Sequence, residues 1–138
     1  MPAVGTDPRA CQIADALEVI GERWSLLVVR ELFWGNRRFS DVARNTGAPR
    51  DVLTTRLRRL EDRGILERRV YSEHPPRHGY HLTQAGRDLA PVLLTLQEWA
   101  SKHADGGRET MRFPHGDHGL EPVSSFSCGV CGEAVPTG

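Results

Sequence analysis

Lysine is almost missing from this chain: Lys102 is the sole one among 18 basic side chains, so positive charge is carried by arginine. The formal net charge is zero, which excludes a uniformly basic, chromatin-like protein. Cysteine is scarce and odd in number, with three thiols and no framework spacing. That excludes a disulfide-stapled scaffold and fits a reducing compartment. No apolar run approaches the roughly 18–20 residues that span a bilayer. Met1 to Asp7 lacks the basic stretch and apolar run of a secretory leader, so a cytoplasmic protein is expected. Also missing are a nucleophile–base–acid grouping, a phosphate-binding loop, a dinucleotide fingerprint and a histidine-glutamate metalloprotease motif. A non-enzyme is expected.

The charge that is present is segregated. Between Arg37 and Ser72 ten arginines stand against five carboxylates, and the flanks are correspondingly acidic. A local cationic excess inside a neutral whole is the footprint of a polyanion-binding segment.

Residues 1–10, with Pro2, Gly5 and Pro8, read as a flexible arm. Ile13, Leu17 and Ile20 recur at helical spacing and predict a helix from Gln12 to Gly21. Ser25 to Trp34 is apolar on most of its circumference and predicts the buried centre of the domain. Arg37, Arg38 and Phe39 read as a short strand pairing with later ones, and Ser40 as the N-cap of a helix ending at Gly47. Past the Asn45–Pro49 break, a helix is expected from Pro49 to Arg63. At about 100° per residue, Leu53, Leu57 and Leu60 fall on its core side. Asp51, Thr55, Arg58 and Asp62 lie opposite, with Thr54 and Arg59 on the flanks. Two strand-like pieces follow, Leu66 to Tyr71 and Tyr80 to Leu82, separated by the proline-rich segment Glu73 to His78.

Helix, turn, helix and β-wing in that order predict a mainly α winged helix-turn-helix domain with a small β-wing, over residues 11–104. Such a unit is shaped to enter the major groove of double-stranded DNA. Arg50, Thr54, Thr55 and Arg58 are the expected readers of base edges. Arginine grips guanine O6 and N7 with two hydrogen bonds, and threonine offers a hydroxyl and a methyl. Arg56 and Arg59 are the expected phosphate clamps, and Arg77 and His78 the wing-tip contacts to a minor groove or phosphate. Arg38, Ser40 and Pro49 complete the set.

A long helix from Gln84 to about His103, kinked at Pro91, carries Leu89, Val92, Leu93, Leu96 and Trp99 along one stripe. An apolar stripe of that length predicts pairing with a second copy, as palindromic operators demand a two-fold protein. The competing reading is a protein-interaction winged helix without DNA binding. That reading calls for apolar anchors where this face offers arginine. RNA binding calls for exposed aromatics on the same face, and the sequence puts none there.

Residues 105–138 are rich in glycine and proline. They hold His115-x2-His118 and, nine residues on, Cys128-x2-Cys131. Two such pairs would close a tetrahedral site for one structural zinc, the only cofactor anticipated. An unordered tail and a redox-active dithiol are the alternatives.

Several of these residues together carry a family resemblance. Cys11, Gly21-Glu22-Arg23-Trp24, Gly35 to Phe39, Leu53 to Leu57, Gly64 to Arg68, Tyr71, Pro76 and Tyr80 to Gly86 resemble the HxlR family of bacterial and archaeal transcriptional regulators. The resemblance covers roughly residues 10–103. It implies a winged-helix homodimer, joined through its first and last helices, that represses or activates nearby genes. Many relatives respond to oxidants, quinones or other electrophiles through a cysteine at the position of Cys11, where Arg9, Arg23 and a helix start would favour the thiolate. Two departures stand out. Ala48 takes a position where the family commonly has serine, which removes a capping side chain worth about 1 kcal/mol from the recognition helix. Gly79 takes the place of an acidic residue, which implies a more flexible, less acidic wing tip.

Overall fold

A computed structural model describes residues 8–104, 106, 108, 113–115, 118–120 and 126–135, with backbone alone for 113–115, 118–120, 126 and 134–135. Most of the expected arm, residues 1–7, lies outside this range. Two compact units result, Met1–Arg87 and Asp88–Gly138.

The first unit runs α1 (Gln12–Ile20), α2 (Arg23–Phe33), α3 (Phe39–Thr46), α4 (Arg50–Asp62), β1 (Leu66–Glu73), β2 (Pro76–Leu82) and α5 (Gln84–Arg87). Cys11 caps α1, its sulfur accepting from the Ala14 amide at 3.4 Å, and Gly21 ends the helix. No residue of α1 is buried; Ile13 and Leu17 are largely exposed.

α2 begins two residues before the expected Ser25. The Glu22 carboxylate supplies the reason, accepting from the Trp24 amide at 2.9 Å and the Ser25 hydroxyl at 3.2 Å. The helix forms the buried centre, as its composition predicts, with Val28, Val29 and Leu32 at most 1% exposed. It also buries a carboxylate the sequence did not single out. Glu31 accepts from Arg30 Nε at 2.9 Å and from Asn36 Nδ2 at 3.0 Å, so its charge is paired rather than stranded.

The expected strand over Arg37–Phe39 reduces to one backbone bond, from the Tyr80 amide to the Arg37 carbonyl at 2.9 Å. Phe39 already belongs to α3, so the segment has no length left to pair. The same shift corrects the cap: Arg38 holds the N-cap position, and Ser40 stands exposed in the first turn. Gly47 closes α3 at φ 77°, a left-handed conformation that a side chain would resist.

Pro49, not Ala48, occupies the N-cap of α4, so the expected loss of a serine cap has no position to act on. Ala48 is buried, and its amide donates to Thr46 Oγ1 at 3.2 Å. Leu53, Leu57 and Leu60 are all within 2% of full burial. Spaced at i, i+4 and i+7, they seat one face of α4, each leucine contributing roughly 1.5–3 kcal/mol. The opposite face is thereby turned to solvent.

β1 and β2 pair antiparallel from Leu66↔Leu82 to Glu73↔Pro76, with an irregularity between Val70 and Ser72. Both strands exceed their predicted lengths. Arg77 and His78 therefore sit inside β2, opposite Ser72 and Val70, and the reversal falls at His74-Pro75. Gly79 is a buried strand residue opposite Arg69, which corrects its assignment to the tip.

The predicted long last helix is divided. α5 stops at Arg87, and α6 (Ala90–His103) starts with Pro91 in its first turn. Proline lacks an N–H and its ring collides with the carbonyl four residues back, here Arg87. At the start of a new helix neither defect matters.

In the second unit, α6 exposes Val92, Leu96 and Trp99, the last at 59%. Two short hairpins follow, β3 (Phe113–His115) with β4 (His118–Leu120) and β5 (Phe126–Ser127) with β6 (Ala134–Val135). Among the described residues no helix is long and apolar enough to cross a membrane.

Candidate nucleic-acid interface

Seating α4 by its leucines presents Arg50, Asp51, Thr55, Arg58 and Arg59 to solvent, with Thr54 half-buried beside them. Among the described residues, Arg50, Arg58, Arg59 and Arg77 have no carboxylate partner within ion-pair distance. These cations are available to a polyanion.

Arg56 is different. Its Nε lies 3.2 Å from Glu22 Oε2 without the angle of a hydrogen bond, and its side chain is 26% exposed. The pair ties the middle of α4 to the start of α2, so the expected phosphate clamp at Arg56 is engaged within the protein. Arg44 and Arg68 are likewise held, by Asp41 at 2.9 Å and Glu61 at 3.0 Å, and Arg69 pairs with Glu67. The arginine-rich segment thus divides into bracing and free guanidinium groups, a distinction composition does not carry.

The two threonine hydroxyls are already engaged on one side. Thr54 Oγ1 donates to the Arg50 carbonyl at 2.9 Å and Thr55 Oγ1 to the Asp51 carbonyl at 3.1 Å. With their protons directed along the helix, the hydroxyls face outward as acceptors. They suit an adenine or cytosine amino group, and their methyls suit thymine.

Aromatic side chains support two of the cations. The Arg50 guanidinium lies over the Phe39 ring at 5.5 Å, and that of Arg38 over the Tyr71 ring at 5.7 Å. At exposed sites each contact contributes about 0.5–1 kcal/mol and restrains the arginine. Sequence reasoning missed both shelves, and Phe39 at the helix start was the available clue.

A cleft between α4 and the wing is lined by Phe39, Thr54, Leu57, Arg58, Glu61, Arg68 and Tyr80. Arg68 and Tyr80 are register partners, so strand alternation puts both on the face turned to α4. Burial raises the Tyr80 hydroxyl above its ordinary value, which keeps it protonated and able to donate. Behind the wing, burial lowers His81, with Arg37 and Arg69 adding to the effect. Its imidazole is therefore predominantly neutral at neutral pH.

The remaining predicted residues are dispersed. Ser40 and Pro49 are exposed at the starts of α3 and α4, and Arg77 and His78 are exposed on β2. Cys11 is exposed at the start of α1. Cys128 and Cys131 share one turn of the second unit, and the side chains of His115 and His118 lie outside the described residues. Among the described residues no three histidine, cysteine or acidic side chains converge as a metal site.

The family described as HxlR-like helix-turn-helix matches residues 19–108. An uncharacterized HTH-type transcriptional regulator of Mycobacterium tuberculosis is 40% identical over 124 residues, 89% of this chain and 78% of the relative. PA1607, a candidate transcription factor, superposes with a TM-score of 0.76 at 30% identity, covering 93% of this chain and 90% of its own. The redox regulator HypR in its oxidized form gives a TM-score of 0.63 at 35% identity, over 69% of this chain and 99% of its own. These relatives are regulators of transcription, not enzymes.

Proposed function

Because this chain belongs to the HxlR-like helix-turn-helix family of DNA-binding transcriptional regulators, we propose that it acts as a homodimer on a pseudo-palindromic operator and represses the genes beside it. The outward face of α4 carries this reading: three arginines that, among the described residues, have no carboxylate partner, on the solvent side of a helix seated by three buried leucines. Each recognition helix enters one major groove, with half-sites about one helical turn apart, roughly 34–36 Å, or a multiple of it. Arg50, Thr54, Thr55 and Arg58 read base edges. Arg38, Ser40, Pro49, Arg59, Arg77 and His78 contact the backbone or the adjacent minor groove, while Arg56 stays with Glu22. Selection from random duplexes should return a two-fold symmetric sequence that also occurs upstream of the protein's own gene, with transcription from that promoter rising when the protein is removed. Recovery of unrelated sequences refutes the proposal.

Pairing is supported by apolar faces left open on two helices, Ile13 and Leu17 on α1 and Val92, Leu96 and Trp99 on α6. Glutamate at both Leu96 and Trp99 should convert a sedimenting dimer to monomer and weaken operator binding in step. A double variant that sediments as the parent does would exclude α6 from the dimer.

A thiol switch at Cys11 is the second part of the reading. HypR is a redox regulator, and YodB of Bacillus subtilis, at 29% identity and TM-score 0.61, has structures in reduced and quinone-bound forms. Here Cys11 is exposed and caps α1 with its sulfur. Oxidation or alkylation would remove that cap and disturb a helix of the proposed dimer. Treatment with diamide or a quinone should lower operator affinity of the parent protein and leave Cys11→Ser unchanged. Equal sensitivity of the two proteins would assign the response to other thiols.

A further inference from the structure

The Cys128–Cys131 turn has no part in the DNA-binding reading, yet its geometry is specific. β5 and β6 pair Phe126 with Val135 and Ser127 with Ala134, so the chain must reverse between them. Two backbone bonds close that reversal, from the Cys128 amide to the Glu133 carbonyl at 2.8 Å and from the Gly132 amide to the Cys128 carbonyl at 2.9 Å. Gly132 adopts φ 74°, which lets the chain turn immediately after the second cysteine.

The turn aims a backbone amide at one sulfur. The Val130 amide donates to Cys128 Sγ at 3.4 Å, from inside the turn that the two cysteines bracket. A backbone N–H aimed at sulfur favours the thiolate that zinc requires. Cys131 closes the same turn, three residues on, so both thiols belong to one reversal of the chain. Two cysteines at the ends of one tight turn can each reach a single tetrahedral zinc ion at about 2.3 Å.

A second ligand pair occurs in the same compact unit. His115 and His118 are register partners where β3 and β4 meet their connection, so the histidine pair occupies the closing end of one hairpin and the cysteine pair that of another. Two imidazoles and two thiolates are a donor set that zinc accepts as a closed structural site.

We propose that Cys128 and Cys131, with His115 and His118, hold one structural zinc ion that joins the two hairpins of the second unit. Coordination requires both thiols as thiolates and both imidazoles neutral, so binding releases the thiol protons to solvent. The ion takes no part in reading DNA, and this assignment stands or falls separately from the proposed function.

The test uses the full chain, purified in reducing buffer without chelator. Elemental analysis should find about one zinc per chain that survives gel filtration. Cys128→Ser and Cys131→Ser should each fall to background while keeping the parent's helical circular dichroism. Cobalt substituted for zinc should give thiolate-to-metal charge-transfer absorption in the parent and none in either serine variant. Reduced protein that takes up no zinc from an equimolar solution would overturn the proposal, as would serine variants with unchanged zinc content. Metal-free protein carrying a Cys128–Cys131 disulfide as isolated would overturn it in favour of a dithiol. A His115→Ala/His118→Ala protein that holds zinc as tightly as the parent would remove the two imidazoles from the site.

Discussion

Replacing Arg50 and Arg58 together by alanine should lower affinity for the selected operator by roughly 10²- to 10⁴-fold while leaving binding to unrelated duplex nearly unchanged. Each bidentate guanidinium–guanine pair discriminates by about 1–3 kcal/mol, and the two positions lie two helical turns apart, so their effects should roughly add. Arg59→Ala should behave differently. A phosphate contact weakens all sequences alike, and its loss reduces the salt slope by about one. Anisotropy titrations of the variants on operator and scrambled duplex, repeated across a salt series, separate the two behaviours. Uniform loss from the Arg50/Arg58 variant, or altered sequence preference from Arg59→Ala, would reverse the assignment of readers and clamps. Arg56→Ala is the internal control. Its guanidinium lies against Glu22, so the change should affect stability before it affects recognition.

The second large effect is on the fold. Leu53→Ala should cost about 2–5 kcal/mol, because Leu53 is 0% exposed and its truncation leaves a cavity that the surrounding side chains refill only in part. Domains of this size hold roughly 5–15 kcal/mol in total, and the melting temperature should fall by about 10 °C or more. Chemical denaturation gives the stability change directly. The variant that remains folded at low temperature should bind operator with nearly parental affinity, since Leu53 faces inward. A loss of affinity larger than the folded fraction accounts for would show that the tilt of α4, and not only its presence, depends on this leucine.

Residues that act locally were legible in the sequence. The spacing of Leu53, Leu57 and Leu60 fixed the buried side of α4, and with it the outward face of Arg50, Arg58 and Arg59. Gly47 marked the end of α3, and Pro91 signalled an interruption whose severity only the structure shows. What stayed hidden depends on partners distant along the chain or on side-chain geometry. Arg56 looks like its neighbours until α2 brings Glu22 against it. Glu31 reads as a surface carboxylate until Asn36 folds back to meet it. That the threonine protons serve the helix backbone is a matter of side-chain geometry that residue spacing does not carry. The closing ends of the two small hairpins could not be placed by spacing, because a two- or three-residue strand has no periodicity to detect.

The stacking of Arg50 on Phe39 bears on the speed and selectivity of docking. A long cationic side chain forfeits up to about 2 kcal/mol of rotamer freedom when it is immobilised. Here part of that ordering precedes any encounter, so the guanidinium meets a base edge with fewer conformations left to surrender. Lysine would keep the charge and lose the guanidinium's contact with the ring, leaving a mobile ammonium that is drawn to any phosphate. In the proposed complex the aromatic ring beneath Arg50 would therefore act as a filter, favouring a restrained guanidinium that can meet a guanine edge over the many orientations from which DNA can merely be touched.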